Sequence, residues 1–224
     1  MQTFKIVKKE GHLLLSEMDR LWVLDTGAPN SFGDHDELSI EGLSHVIPNN
    51  YLGLDAKQLS QNLKFKITGL IGGDILNNYN TAWDCKACEI TFMDEDNYPN
   101  GISIPIELFM GIPTLTVEVN NSKQKWFFDT GANICYVTEK PENWTTPVDT
   151  HDDFYPGFGN FQTEVYETQI QFHDTPKQVK CGVLPELLGL SLSLGGCTGI
   201  LGINEFLDSS FYYSPRTGKI ITDG

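Results

Sequence analysis

No apolar run in the chain approaches the roughly 18 residues that a membrane-spanning helix needs, so no membrane partner is expected. Basic residues are scarce: 15 Lys and Arg stand against 30 Asp and Glu, a formal charge of −15. Recognition of nucleic-acid phosphates or anionic lipid rests on clustered Lys and Arg, and this balance argues against both. Cysteine is sparse, with Cys85, Cys88, Cys135, Cys181 and Cys197 an odd number at uneven positions that forms no secreted disulfide framework. The start, Met1 to Lys9, alternates like a strand and lacks the apolar centre of a secretory leader, so a reducing cytoplasm is the expected location.

Metal and nucleotide signatures are missing too. The histidines His12, His35, His45, His151 and His173 include no His-Glu-x-x-His pattern, and Gly195-Gly196 lacks the Gly-Lys-Ser/Thr of a phosphate loop. No metal and no cofactor is expected. Cys85-Lys86-Ala87-Cys88 has the spacing of half a zinc site or of a redox pair, but no second pair accompanies it. It falls where a hairpin should turn, and two thiols in a plain turn is the expected reading.

What is present is a pattern written twice. Leu21-Trp22-Val23-Leu24-Asp25-Thr26-Gly27-Ala28 recurs as Lys125-Trp126-Phe127-Phe128-Asp129-Thr130-Gly131-Ala132, 104 positions later (129 − 25). Two Asp-Thr-Gly tripeptides by chance in such a length have odds on the order of one in a thousand. Each copy is an apolar strand running into a turn that glycine permits, so each aspartate sits at a strand end. Gly69-Leu70-Ile71-Gly72 likewise recurs as Gly199-Ile200-Leu201-Gly202, followed each time by a short helical segment and a hairpin. These hairpins run from Thr81–Asp84 to Glu89–Phe92 and from Phe211–Tyr213 to Lys219–Ile221. The polar stretch Asp94 to Gly101 divides the copies, which predicts two β-rich lobes: residues 1–98 carrying Asp25 and residues 99–224 carrying Asp129.

Two neighbouring carboxylates cannot both be charged, so one keeps a proton while the other remains a base, and the pair can do both halves of a peptide hydrolysis. Aspartic-protease dyads are the established example of that coupling. The doubled Asp-Thr-Gly, each copy preceded by an apolar strand and matched by a later Gly-x-x-Gly, resembles the pepsin-like and retropepsin-like aspartic peptidases over nearly the whole chain. The resemblance implies a mostly β, two-lobed acid-protease fold with pseudo-twofold symmetry and a catalytic dyad of Asp25 and Asp129. It implies that Thr26 and Thr130 hydrogen-bond across the lobe interface, and that Gly27 and Gly131 let the backbone approach the reacting water. It also implies that Gly72 and Gly202 let an apolar strand pass behind each aspartate loop. Ala28 and Ala132 stand where pepsins usually carry Ser or Thr, as in retropepsins.

The halves are unequal: Asp25 to Gly72 spans 47 positions (72 − 25), but Asp129 to Gly202 spans 73 (202 − 129). The surplus includes an aromatic, glycine-containing stretch in which Tyr155, Gly157, Phe158 and Gly159 are expected to form a flap tip over an extended substrate. An ordinary surface hairpin is the plainer alternative for it. The expected function is an aspartic endopeptidase, acting as a monomer on a peptide or protein substrate. A non-catalytic peptide-binding or inhibitor-like module, and a protein whose lobes serve only assembly, remain open alternatives.

Overall fold

Three consecutive apolar residues precede each Asp-Thr-Gly because these strands are covered on both faces. Trp22, Val23 and Leu24 are buried in the strand Arg20–Leu24, as are Trp126, Phe127 and Phe128 in Ser122–Asp129. Each strand runs parallel to the strand of the second repeated motif, with Leu24 opposite Ile71 and Asp129 opposite Gly202. Parallel strands buried on both sides read as continuous apolar runs, and these do. The strand after each aspartate loop then returns antiparallel on the far side, pairing Phe32 with Leu70 and Tyr136 with Ile200.

The computed structural model describes residues 1–94, 100–155, 158–172 and 176–222. Among them the chain is mostly β and forms two large sheets, the two-lobed architecture that the repeat implied. The first sheet begins with Phe32–Gly33 and runs through Gly69–Ile71, Arg20–Leu24, His12–Glu17, Gln2–Lys9, Glu89–Met93 and Asn80–Asp84. It then takes in Ser210–Ser214, Lys219–Thr222 and Ile102–Pro105 from later in the chain. Thr81 faces Tyr213 across that junction. The second sheet carries Ser122–Asp129 and Gly199–Gly202 at its centre and ends in a long hairpin, Asp149–Tyr155 with Gly159–Gln171. The expected lobe boundary at 98–99 lies outside the described residues.

Phe128 fills the space between the sheets, meeting Phe206 edge-on at 5.4 Å and Phe211 at 5.9 Å between ring centroids. A buried Phe cut back to Ala typically costs about 3–5 kcal/mol, so this cluster ties the strand bearing Asp129 to the C-terminal hairpin. That hairpin and its partner in the first half turn where expected, with Asn80–Asp84 returning as Glu89–Met93 and Ser210–Ser214 as Lys219–Thr222. Cys85 to Cys88 form the first turn, Cys88 at φ 58°. The Cys85 thiol is free, and burial pushes it up to about 11.

Two helices were not anticipated, Ala56–Leu63 and Glu186–Ser193, one shortly before each Gly-x-x-Gly. The first opens on a capping box: Asp55 accepts from the Gln58 N–H at 2.7 Å, and the Gln58 side chain accepts from the Asp55 N–H at 3.1 Å. Its buried Leu59 joins Leu14, Val23, Leu54, Phe65 and Leu70 in an apolar wall beside the first aspartate loop.

Candidate active site

The aspartates meet because the loops carrying them are bonded to each other and not only to their own sheets. The N–H of Thr26 donates to Oγ1 of Thr130 at 3.0 Å, and the N–H of Thr130 donates to Oγ1 of Thr26 at 3.0 Å. Each hydroxyl donates onward to the strand entering the other loop, Thr26 to the Phe128 carbonyl at 2.9 Å and Thr130 to the Leu24 carbonyl at 2.8 Å. Both threonines are buried. Four bonds in a dry interface fix the distance between the loops.

The aspartates are packed so closely that glycine is required beside them. A Cβ on Gly27 would lie 2.2 Å from Cγ of Asp129, and one on Gly131 would lie 2.5 Å from Cγ of Asp25. Gly72 and Gly202 serve the same purpose one layer back, where a Cβ would lie 2.7 Å from the Ala28 carbonyl and 2.4 Å from that of Ile134. Backbone donors aim each carboxylate: Ala28 N–H bonds Oδ1 of Asp25 at 2.9 Å, and Gly131 N–H bonds Oδ1 of Asp129 at 2.8 Å.

The two carboxyls hydrogen-bond each other, and their environments differ. Burial, then the charge of Asp129, then the bond to Asp129 hold Asp25 well above the usual carboxylate range. Burial also raises Asp129, but the bond from Asp25 and the loop N–H groups pull it back. Burial and the mutual charge therefore favour a single proton held by the pair as a unit. A carboxyl with a raised folded-state pKa contributes stability that is full below its unfolded pKa and lost as pH rises through the folded one. Asp25→Asn should accordingly raise the melting temperature at neutral pH, with the gain shrinking on acidification. A constant gain from pH 7 to pH 3 would contradict the raised pKa of Asp25.

Residues that sequence reasoning overlooked brace these loops. Asp74 accepts from both the N–H and the hydroxyl of Ser31, at 2.9 and 2.6 Å, and the Ser31 hydroxyl accepts from the Gly72 N–H at 2.9 Å. In the second copy the position of Ser31 is Cys135, whose sulfur receives the Gly202 N–H. Aligning the two copies beyond Asp-Thr-Gly would have exposed this pair.

An open cleft of about 940 Å³ runs from Asp25 and Gly131 between the apolar wall and the hairpin arm Asp149–Tyr155. Phe154 from the arm packs on the wall, and the Tyr155 phenol is raised by burial and then by the charges of Asp129 and Asp25. Tyr155 itself is 39% exposed, at the end of the arm strand. Phe158 donates its N–H to the Tyr155 carbonyl at 3.0 Å and meets Phe161 edge-on at 6.2 Å, and Gly159 at φ 99° opens the return strand. Gly157 lies outside the described residues.

No protein-family model and no curated relative matches the chain. Among solved structures it is similar to a retropepsin-like aspartic protease from Rickettsia conorii, with 17% sequence identity and a TM-score of 0.39, over 55% of this chain and 89% of that one.

Proposed function

We propose that the chain is an aspartic endopeptidase that cleaves extended, partly apolar peptides. What carries this reading is the pair of adjoining buried carboxyls, one from each copy of the repeat, each packed against the glycine of the other loop. Asp129 takes a proton from water, the oxygen attacks the scissile carbonyl, and Asp25 gives its proton to the carbonyl oxygen. Asp129 then gives its proton to the leaving nitrogen while Asp25 recovers one from a hydroxyl of the tetrahedral intermediate, restoring the starting pair. The Tyr155 arm acts as the flap, closing the cleft over substrate and excluding water. Substrate side chains dock on the wall around Leu54, Leu59 and Leu70.

Digestion of a mixed peptide library between pH 3 and 7 tests the reading, with Asp25→Asn and a pepstatin-type inhibitor as controls. Wild-type cleavage that both controls suppress supports it. Peptide binding without cleavage at any pH would instead favour the non-catalytic module.

The alanines after each motif set an expectation for the pH profile. A serine there would donate a hydrogen bond to the carboxylate, favour its charged form and lower the pKa. With Ala28 and Ala132 the dyad holds its proton to higher pH, giving an optimum that is mildly acidic. Ala28→Ser with Ala132→Ser should move the acidic limb of the pH–rate profile downward, as a property of the coupled pair. A wild-type optimum near about pH 2, in the range of the lower pepsin pKa, would sink this account.

A further inference from the structure

The turn Glu10-Gly11 reaches out of the first sheet and touches the second catalytic loop. Gly11 stands at φ 80°, and a Cβ there would lie 2.7 Å from Oδ1 of Asn133, whose Nδ2 donates to the Glu10 carbonyl at 3.1 Å. The next residue, His12, is thereby delivered to the wall of the cleft that Asp25, Gly131 and Asp153 also line. Nδ1 of His12 is buried with no hydrogen-bond partner among the described residues. Buried polar atoms are nearly always paired, and an orphan one beside reacting groups asks for a reason. Nδ1 is thus a ring nitrogen with no partner competing for a proton.

The arm supplies the opposing charge. Asp153 accepts from the Tyr136 hydroxyl and from the Phe154 N–H at 2.7 Å, and its Oδ2 lies 4.0 Å from Nε2 of His151. Its charge acts on His12 and on Asp129, favouring the protonated form of each. The other titratable groups acting on His12 are His151 on the arm and Glu10 in the turn, while Lys9 and Asp152 line the same cleft.

We propose that His12 is a positioning residue: held in the cleft wall by the turn that packs on Asn133, with Asp25, Gly131 and Asp153 lining the same cleft, its imidazole when protonated offsets the Asp153 charge felt by the dyad. The catalytic consequence rests on the peptidase reading above. Burial lowers the His12 pKa, so the imidazole charges only on the acidic side of its ordinary range. There it counters the charge that pushes Asp129 up, letting Asp129 stay ionised to lower pH. Coupling of this kind is reciprocal, so removing the Asp153 charge must also make His12 harder to protonate.

Two arms test this in the full chain. In the first, the His12 ring proton is titrated by NMR in wild type and in Asp153→Asn. The His12 pKa should fall by on the order of half a unit or more, as expected for a charge acting across a partly hydrated cleft wall. In the second, pH–rate profiles are measured for His12→Phe and Asp153→Asn. His12→Phe should move the acidic limb upward and Asp153→Asn should move it downward, whereas damage to the fold alone would not give opposite signs. His12→Gln, which keeps a polar side chain in the cleft wall but cannot charge, should recover kcat relative to His12→Phe without recovering the limb. An unmoved His12 titration, or limbs displaced in the same direction, overturns the proposal. A wild type that cleaves nothing defeats the peptidase reading instead, and the NMR arm still decides the coupling.

Discussion

Asp25→Asn and Asp129→Asn are each expected to lower turnover by on the order of a thousandfold or more, with the fold retained. Asparagine keeps the shape of the side chain and an oxygen that can still accept from Ala28 N–H in one loop and from Gly131 N–H in the other. The loops therefore stay seated, and the loss is chemical. At position 25 the variant has no proton to give the carbonyl oxygen. At position 129 it has no base for the water. Because the two carboxyls act as one unit, the double variant should be about as inactive as either single one, not inactive by the product of the two losses. Measured kcat at the wild-type optimum, with circular dichroism to confirm the sheets, checks this. Near-normal cleavage in either variant would end the paired-carboxylate account.

The parts of this arrangement that were legible in the sequence are the ones that repeat or are local. The doubled Asp-Thr-Gly, the glycine pairs and the hairpins closing near Cys85–Cys88 and Pro215–Gly218 each declare themselves within a few residues, through turn chemistry and apolar runs. The helix Ala56–Leu63 was also legible in principle, since Asp55 and Gln58 make a capping box at the required spacing. Glu186–Ser193 was harder to read: Leu187 and Leu190 are exposed while Leu188 and Leu192 are buried, so apolar residues circle the helix and leave no periodic face. What no local pattern carries is long-range partnership. Ser31 meets Asp74 across 43 positions, and the strand Ser210–Ser214 joins a sheet begun at the other end of the chain. His12 is an unremarkable first residue of a strand until the Glu10-Gly11 turn brings it into the cleft that Gly131 also lines.

The threonine lattice gives the largest expected effect on stability. Thr26→Val deletes the acceptor for the Thr130 N–H and the donor to the Phe128 carbonyl, and Thr130→Val does the same to the Thr26 N–H and the Leu24 carbonyl. Valine nearly matches threonine in volume, so packing is kept and the cost is that of buried polar groups left without partners. Two such groups per variant amount to about 2–4 kcal/mol. For a chain of this size each kcal/mol lowers the melting temperature by about 2–4 °C, so each variant should melt on the order of 10 °C below wild type. The double variant should lose less than the sum, because once one hydroxyl is gone the loops can part and the other no longer holds its bonds in place. Turnover should fall in both single variants even well below their melting temperatures, since the spacing of Asp25 and Asp129 depends on the same four bonds. Thermal unfolding of the wild type, both single variants and the double variant gives the coupling directly. Single variants that melt within about 2 °C of wild type, with strictly additive losses, would mean that packing around Phe128 holds the loops together and the lattice does not.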